Sequence, residues 1–181
     1  MKTSISILSI CIVLLLGCTS SKSKITSEDM DTLKAFVDGK QFRVESNWAY
    51  PMTTYAVQQV LNSGLLQPGS TANRIDLIGN PNFLEIKGDS VTSYLPYFGE
   101  RQMQVGYGGR DSAIEFKGLM EDYEVETTKN GLFIKFKAKS NNEHFNVILN
   151  LTPKLSSNLT LNSGSRMSIK YSGTAEALSE D

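Results

Sequence analysis

The chain is poor in the side chains that most often carry catalysis or hold metals. Its 181 residues include one histidine, His144, and two cysteines, Cys11 and Cys18. A lone histidine excludes a zinc site built from paired histidines. A Ser-His-Asp triad would have to use His144, and no serine lies in a Gly-x-Ser-x-Gly elbow. The sequence therefore predicts no catalytic residue, no metal site and no cofactor, and His144 is interpreted as a solvent-exposed strand residue.

The chain also lacks an excess of charge of either sign. It has 18 basic and 19 acidic residues and a formal net charge of −1. Proteins that attract nucleic acid or anionic lipid through charge carry a basic patch or stripe. The balanced composition therefore gives no reason to expect nucleic acid as a partner.

One long apolar run is present, and it lies at the N-terminus. Met1-Lys2 supplies a positive charge and Ile5 to Leu16 an apolar stretch, which together open a secretory signal. The stretch is shorter than the roughly 20 apolar residues of a membrane-spanning helix. It ends in Leu15-Leu16-Gly17-Cys18, which matches the bacterial lipobox. Residues 1–17 are therefore predicted to be a lipoprotein signal peptide.

Cleavage after Gly17 would leave Cys18 as an acylated N-terminus. A diacylglycerol on the thiol and a further chain such as palmitate on the amine anchor a domain stably, whereas one chain binds only marginally. The mature chain would have no free thiol, because Cys11 leaves with the signal. The predicted partner is thus a membrane. Thr19 is not the aspartate that often retains a lipoprotein in the inner membrane, and Cys18 is not followed by the acidic run that often accompanies surface display. By that analogy, the periplasmic leaflet of the outer membrane is favoured.

The rest of the chain divides by composition. Residues 18–26 are predicted to be the lipidated cysteine and a flexible polar tether, residues 27–175 a single β-rich domain, and residues 176–181 a disordered acidic tail. The domain opens with a predicted amphipathic helix over 27–38, whose apolar stripe we interpret as packing on the sheet rather than binding a partner. The apolar pattern of 52–61 is also compatible with a second helix, but the β-branched residues in this segment disfavour one.

Strands dominate the domain. The clearest alternation places Leu132, Ile134, Phe136 and Ala138 on one face. Short turns rich in glycine and asparagine indicate antiparallel pairing. The predicted class is α+β, mostly antiparallel: a twisted meander sheet or a partly closed barrel or sandwich, with one or two N-terminal helices packed on it. The predicted strands span 41–48, 74–78, 83–87, 90–95, 112–117, 119–128, 132–139, 143–151, 159–162 and 166–172.

The densest apolar and aromatic cluster of this domain is the stretch from Ser90 to Gly99. Its aromatic residues have two interpretations. Tyr94, Tyr97 and Phe98 form a candidate ligand or partner patch, since aromatic rings stack well on sugars and side chains. Alternatively, they fix the end of a strand in the core, because Pro96 ends a sheet ladder and Gly99 can turn the chain. We favour the second interpretation.

The motif Leu95-Pro96-Tyr97-Phe98-Gly99, preceded by Lys87-Gly88-Asp89-Ser90-Val91, resembles the family called domain of unknown function 4251. The ending Arg166-Met167-Ser168-Ile169-Lys170-Tyr171-Ser172-Gly173 is similar to the closing strand of that family. The resemblance covers roughly Phe36 to Gly173. It implies an exported lipoprotein of Bacteroidetes with an unassigned function, and it supplies no catalytic residues.

Two serines are candidate modification sites by analogy with the same bacteria. Asp89-Ser90-Val91 and Asp111-Ser112-Ala113 resemble the Asp-Ser/Thr-aliphatic acceptor of general O-glycosylation. Ser112 lies in the more exposed predicted turn and is the better candidate. Asp31-Thr32-Leu33 shares the pattern but lies inside the first predicted helix.

Two further motifs have a chemical and a plain interpretation. Gly106 to Arg110 has the glycines of a phosphate-binding loop but no following lysine and helix, so a tight hairpin loop is favoured. Asp122, Glu124 and Glu126 are predicted to share one strand face, where paired carboxylates could hydrolyse a glycosidic bond or bind Ca²⁺. A solvated strand face is favoured, because nothing indicates burial.

Two classes of function therefore remain. The first is a non-enzymatic, lipid-anchored envelope protein that binds an envelope protein or glycan or has a structural role. The second is a hydrolase that acts on envelope glycan or peptide through carboxylates alone. The missing catalytic set favours the first.

Overall fold

A computed structural model of the chain describes residues 25–52, 54–55, 58–59, 69–71, 73–102, 113–140 and 143–179. The predicted signal peptide, the acylated cysteine and all but the last two residues of the predicted tether lie outside these ranges. So do the glycine-rich loop from Gly106 to Arg110 and half of the second predicted helix. Within 52–61, the Gln58 N–H donates to the Thr54 carbonyl at 3.0 Å.

Helix α1 runs from Ser27 to Asp38, as predicted. Thr26 is its N-cap and forms a capping box with Asp29, in which each side chain hydrogen-bonds to the other residue's backbone N–H. Leu33 and Val37 are buried, and the Phe36 ring lies 5.2 Å from that of Phe42 in the first strand. The apolar stripe of α1 therefore packs against the sheet.

Ten strands follow among the described residues, and every pairing between them is antiparallel. They are β1 (Gln41–Pro51), β2 (Ile75–Asp76), β3 (Phe83–Lys87), β4 (Ser90–Pro96), β5 (Ala113–Leu119), β6 (Glu121–Thr128), β7 (Gly131–Lys139), β8 (His144–Leu151), β9 (Ser156–Ser163) and β10 (Ile169–Ala177).

The strands form one sheet in the order β5-β4-β3-β1-β10-β9-β8-β7-β6, with β2 paired to the far part of β1. Its two edge strands, β5 and β6, are consecutive in the chain, and Met120 alone separates them. The sheet therefore curls until its two edges approach each other, and it is nearly closed into a barrel with one unsealed seam. This confirms the predicted α+β class and selects the partly closed barrel among the predicted architectures.

The inner face of the sheet is filled by apolar side chains. The residues predicted to point inward from β7 are all nearly inaccessible to solvent, and so are the alternate residues of β8, including Phe145 and Leu149. The rings of Phe116 and Phe145 meet with their centroids 5.4 Å apart. Alternation of apolar and polar residues thus produced both the strands and a dry interior.

Strand bounds differ from the prediction mainly near the C-terminus. β9 begins at Ser156, three residues before its predicted start, and β10 begins at Ile169 and continues to Ala177. Glu176 and Ala177 pair with Arg43 and Phe42 of β1, so the sheet passes the predicted domain boundary at 175. Because these segments are rich in serine and glycine, their sequence did not predict the full length of the strands.

Strand β1 contains a bulge at Asn47, where the register with β10 shifts between Ser46 and Trp48. Opposite it lies Gly173, and a Cβ at that position would collide with the Glu45 carbonyl oxygen. Beyond the bulge, Ala49 and Pro51 face inward, while Trp48 and Tyr50 face outward. The bulge thereby brings two aromatic side chains to the outer surface.

Candidate functional site

β4 ends within the motif Leu95-Pro96-Tyr97-Phe98-Gly99, and the chain leaves the sheet after Pro96. Leu95 is fully buried, and the carbonyl of Pro96 accepts a hydrogen bond of 2.8 Å from the Tyr171 hydroxyl. Burial raises the pKa of Tyr171, so this hydroxyl stays protonated and can donate. The proline carbonyl is therefore fixed by a side chain at the point where the ladder stops.

Tyr97 folds back over Gly99. A Cβ at Gly99 would collide with the Tyr97 hydroxyl and ring, so only glycine leaves room for this arrangement. The hydroxyl lies 2.8 Å from the Glu100 carbonyl and 3.0 Å from the Met167 carbonyl, and its single proton can serve either. Burial raises the pKa of Tyr97 against the opposing effect of Arg166. Tyr97 thus joins its own loop to the segment before β10.

Arg166 is the charged group at the centre of this region. Its side chain is 8% exposed, and its Nε lies 3.0 Å from one carboxylate oxygen of Glu143 and 3.2 Å from the other. The guanidinium carbon lies 5.1 Å from the centroid of the Tyr97 ring, within cation–π range. Nη1 also donates to the Ala113 carbonyl at 3.4 Å. A single arginine therefore contacts residues within or next to three separate strands, β4, β5 and β8.

Glu143 receives hydrogen bonds from two serines as well as from Arg166. The hydroxyls of Ser163 and Ser165 both donate to Oε1 at 2.5 Å. Burial alone would raise the pKa of Glu143, but these hydrogen bonds and the positive charge of Arg166 together hold that pKa below its usual value. The carboxylate is thus ionised, paired and saturated with donors.

We call Tyr97, Glu143, Ser163, Ser165 and Arg166 the Arg166 cluster. Its chemistry suits attachment better than catalysis. A carboxylate with a lowered pKa is a poor general acid and a weak base, and the two serine protons are already directed to it. Backbone bonds from Gln102 to Ser165 and from Met167 to Glu100 add to the same attachment. The cluster therefore holds the loop after β4 against the β9–β10 connection.

The candidate aromatic patch is divided between two environments. Tyr94 is 39% exposed on the outer face of β4, where it lies opposite Phe83 and Glu115. Tyr97 and Phe98 are partly buried, and both pack against the core. The structure thus brings Tyr97 and Phe98 to the edge of the core and leaves Tyr94 on the outside.

The other predicted site residues fall in different places. Ser90 is exposed at the first position of β4, next to Asp89, whose carboxylate lies 2.7 Å from the Lys40 ammonium. Ser112 and Cys18 lie outside the described residues. His144 is exposed at the start of β8, opposite Lys139.

The acidic residues of β6 form surface ion pairs. Asp122 lies 2.7 Å from Lys137, and Glu126 lies 2.6 Å from Lys135. The expected common face is interrupted, because the pairing with β7 shifts between Glu121 and Glu124 and Asp122 has a φ of 54°. Among the described residues, no three histidine, cysteine, aspartate or glutamate side chains are grouped to hold a metal ion.

The described residues also contain no helix that is long and apolar enough to cross a membrane.

The Arg166 cluster was not predicted as a unit. One signal was present, because Arg166 opens the ending that resembles the closing strand of the family. Its partner Glu143 lies 23 residues earlier, at the start of another strand. Nothing in the local pattern of either segment indicates that the two meet, since their contact depends on how the sheet curls.

Comparisons with known proteins agree with the fold. The chain is similar to a crystal structure of a DUF4251 family protein from Bacteroides eggerthii DSM 20697, with a TM-score of 0.54 and 15% sequence identity over 83% of this chain and 89% of that one. A comparison with curated proteins gave no significant match. The model of a domain of unknown function, DUF4251, matches residues 24–175. The chain therefore belongs to the DUF4251 family.

Proposed function

We propose that this protein is a non-enzymatic, lipid-anchored protein of the cell envelope, which binds a partner through the outer surface of its domain. The observation that carries the proposal is the sequence Leu15-Leu16-Gly17-Cys18, which follows an apolar run and precedes a polar tether. The first described helix begins only at Ser27. Acylation of Cys18 would thus leave a short polar link between the membrane and the folded domain.

The packing of the domain supports binding at the surface rather than inside the sheet. Inward-facing side chains such as Phe42, Ile86, Leu95 and Ile134 are at most 1% exposed. A barrel interior filled in this way leaves those positions to the core, whereas ligand-carrying barrels enclose a cavity. A partner would therefore meet the outer faces of the strands or the ends of the sheet.

The contacts of the carboxylates support a binding protein over a carboxylate hydrolase. Glycosidases need one carboxylic acid with a raised pKa beside a second, ionised carboxylate. Here Glu143 has a lowered pKa, and two acids of β6 are paired with lysines. These contacts are ones that stabilise a folded domain.

The anchor is tested by comparing the chain with its Cys18→Ala variant in cells of the same phylum. We expect the unmodified chain to partition into the detergent phase and to incorporate labelled palmitate, and Cys18→Ala to do neither. Cys11→Ala is the matched control, since Cys11 lies in the predicted signal and should not affect lipidation. Detergent-phase partitioning of Cys18→Ala equal to that of the unmodified chain would refute the anchor.

The leaflet is tested separately. We propose the periplasmic side of the outer membrane, because Thr19 is not the aspartate that often retains a lipoprotein in the inner membrane and no acidic run typical of surface display follows Cys18. The chain should co-sediment with outer membranes and resist protease added to intact cells, and Thr19→Asp should shift it to inner membranes. Digestion in intact cells would instead indicate surface exposure.

A further inference from the structure

The outer face of β1 beyond its bulge carries a group of apolar side chains. Trp48 and Tyr50 point outward there, and Met52 follows directly after the strand. Ile78 follows β2, the short strand that pairs with this part of β1. Tyr50 is 36% exposed, Met52 52% and Ile78 67%. We call Trp48, Tyr50, Met52 and Ile78 the Trp48 patch.

Exposed apolar side chains are concentrated in this part of the molecule. With Tyr55, which comes three residues after Met52, the Trp48 patch and its neighbourhood hold half of the large apolar side chains that are exposed in the described part of the chain. Those on the remaining strands, Tyr94, Leu119 and Val125, lie on three different strands. Single exposed apolar residues are ordinary, whereas a contiguous group marks an interaction surface.

The charged residues beside the Trp48 patch are two basic side chains and one acid. The Arg74 guanidinium carbon lies 4.2 Å from the centroid of the Trp48 ring, and the exposed Lys170 lies opposite Tyr50. Asp76 lies opposite Trp48, and its carboxylate accepts the N–H of Ile78 at 2.8 Å.

This composition is typical of a surface at the boundary between lipid and water. Tryptophan and tyrosine are enriched at that boundary, where the ring is in contact with lipid and the N–H or O–H reaches water. Arginine and lysine can lay their apolar stems along the same surface and direct their charges to water or to headgroups. Arg74 and Lys170 therefore suit such a surface as much as the rings do.

The N-terminus of the domain leaves on the same side of the sheet. The pKa of Asp29 is lowered by its hydrogen bonds with Thr26 and also by the charge of Lys154, so α1 begins near the turn before β9. In that turn, the carbonyl of Leu155 accepts a hydrogen bond of 2.8 Å from the N–H of Ala175 in β10. The start of α1 thus lies near the end of β10, the strand that pairs with β1.

The predicted tether is long enough to bring the anchor level with the Trp48 patch. Ala175 and Lys170 are five residues apart along β10, or about 17 Å, and Lys170 lies opposite Tyr50. The seven residues from Cys18 to Ile25 can span up to about 24 Å. Acyl chains on Cys18 can therefore enter a membrane whose surface also touches the patch.

We propose that the Trp48 patch rests in the headgroup region of the bilayer that holds the anchor. The domain then lies with the outer face of this part of β1 against the membrane. The contact comes from rings and apolar side chains that leave water, so it needs no excess of positive charge. The inference rests on the proposed function, because acylation of Cys18 is what brings the bilayer within reach of the patch.

The experiment uses Trp48 as its reporter, since it is the only tryptophan of the chain. The acylated chain is purified in mild detergent and reconstituted into phosphatidylcholine vesicles, and flotation shows whether it is anchored. Tryptophan emission is then compared in plain vesicles and in vesicles whose acyl chains carry bromine, a quencher that acts at short range. We expect strong quenching by bromine near the headgroups, weaker quenching by bromine near the chain ends, and no reversal by added salt.

The double variant Met52→Asn/Ile78→Asn should float like the unmodified chain but lose most of this quenching, because polar side chains replace those that leave water. Both positions are exposed, so the melting temperature should change little. Leu119→Asn is the matched control, since Leu119 is 70% exposed on a different strand and undergoes the same change. It should float and be quenched like the unmodified chain.

The docking is overturned, with the anchor intact, if the chain floats but bromine leaves its emission unchanged. Full quenching in the double variant, or its loss in Leu119→Asn as well, also overturns it. An emission shift that follows the ratio of protein to lipid, without any effect of bromine, would mean that a second copy of the chain covers the patch instead. A chain that does not float would overturn the anchor and the docking together.

Discussion

The guanidinium of Arg166 lies between the ring of Tyr97, whose centroid is 5.1 Å away, and the carboxylate of Glu143, 3.0 Å from Nε. The two partners come from separate segments of the chain, one after β4 and one before β8. Arginine can make both contacts because its planar, delocalised group stacks on rings and donates in its own plane. The aromatic motif is thereby fixed by a charge pair that lies far from it in sequence.

The first prediction concerns this pair. Arg166→Met should lower the free energy of unfolding, by less than the roughly 3–5 kcal/mol of a fully buried ion pair, because it leaves a partly buried carboxylate without its charged partner. The double variant Glu143→Gln/Arg166→Met should recover part of that loss. Urea unfolding measures both. Lys135→Met is the control, since the exposed pair of Lys135 with Glu126 should contribute no more than about 1 kcal/mol. Equal small losses in both variants would contradict a stabilising role for the cluster.

The second prediction concerns acid stability. The pKa of Glu143 is lower in the folded chain than in the unfolded chain, where about 4.3 is usual. Its contribution to stability is therefore present above about pH 4.3 and is lost as the pH falls through the folded-state pKa. Asp29 and Asp89 also have lowered pKa values, so the measurement must isolate Glu143.

The contribution of Glu143 is isolated by comparing the melting temperatures of the unmodified chain and of Glu143→Gln from neutral to acid pH. The two curves should be well separated at neutral pH and should converge as the pH falls below about 4.3. A constant separation across the range would show that Glu143 does not titrate in this way.

The third prediction concerns Gly99. Gly99→Ala should destabilise the domain, because the new Cβ would collide with the Tyr97 ring. The same substitution should cost much less in a Tyr97→Ala background, where the ring is gone. A double-mutant cycle measures the coupling, which we expect to be about 1–3 kcal/mol. Additive effects would mean that glycine is needed here for another reason.

The fourth prediction distinguishes a core role of the aromatic motif from a binding role. Phe98 is partly buried against the core, so Phe98→Ala should lower the melting temperature, at a cost approaching the roughly 3–5 kcal/mol of a buried phenylalanine. Tyr94→Ala, on the outer face, should change stability by no more than about 0.5 kcal/mol. If Phe98→Ala leaves the melting temperature unchanged but abolishes capture of an envelope partner, the motif is a binding site.

The fifth prediction concerns two buried hydroxyls. Ser46 and Ser157 are 3% and 2% exposed, and their side-chain oxygens have no hydrogen-bond partner within the described part of the chain. An unpaired buried polar group costs about 1–3 kcal/mol. Ser157→Ala should therefore raise the melting temperature. Ser93→Ala is the control, because the Ser93 hydroxyl donates to the Ile114 carbonyl at 3.4 Å and its loss should not stabilise. A lower melting temperature for Ser157→Ala would indicate a bound water at this hydroxyl.

The fold class could be predicted because alternation is a local property. Phe145, Val147 and Leu149 are spaced as one strand face, and they are buried as that spacing predicts. The sequence offers both Thr26 and Ser27 as a cap of α1, and the structure has Thr26 as the N-cap with Asp29 three residues away. Each of these features depends on only a few neighbouring residues.

The closure of the sheet could not be predicted, because it depends on contacts between distant segments. The pairing of β1 with β10 joins residues more than a hundred positions apart, such as Phe42 and Ala177. The bulge at Asn47 and the meeting of Glu143 with Arg166 depend on that closure. Alternation specifies which face of a strand is inward, but it carries no information on which strand lies beside it.

The position of β1 between β3 and β10 has a consequence for folding. Once the chain as far as Leu119 is free to fold, β1, β3, β4 and β5 can pair, but the other edge of β1 must wait for Ile169–Ala177. Until then, that edge presents unpaired backbone groups, which are ready templates for intermolecular pairing. A chain that stops short of β10 should therefore aggregate rather than persist as a smaller folded unit.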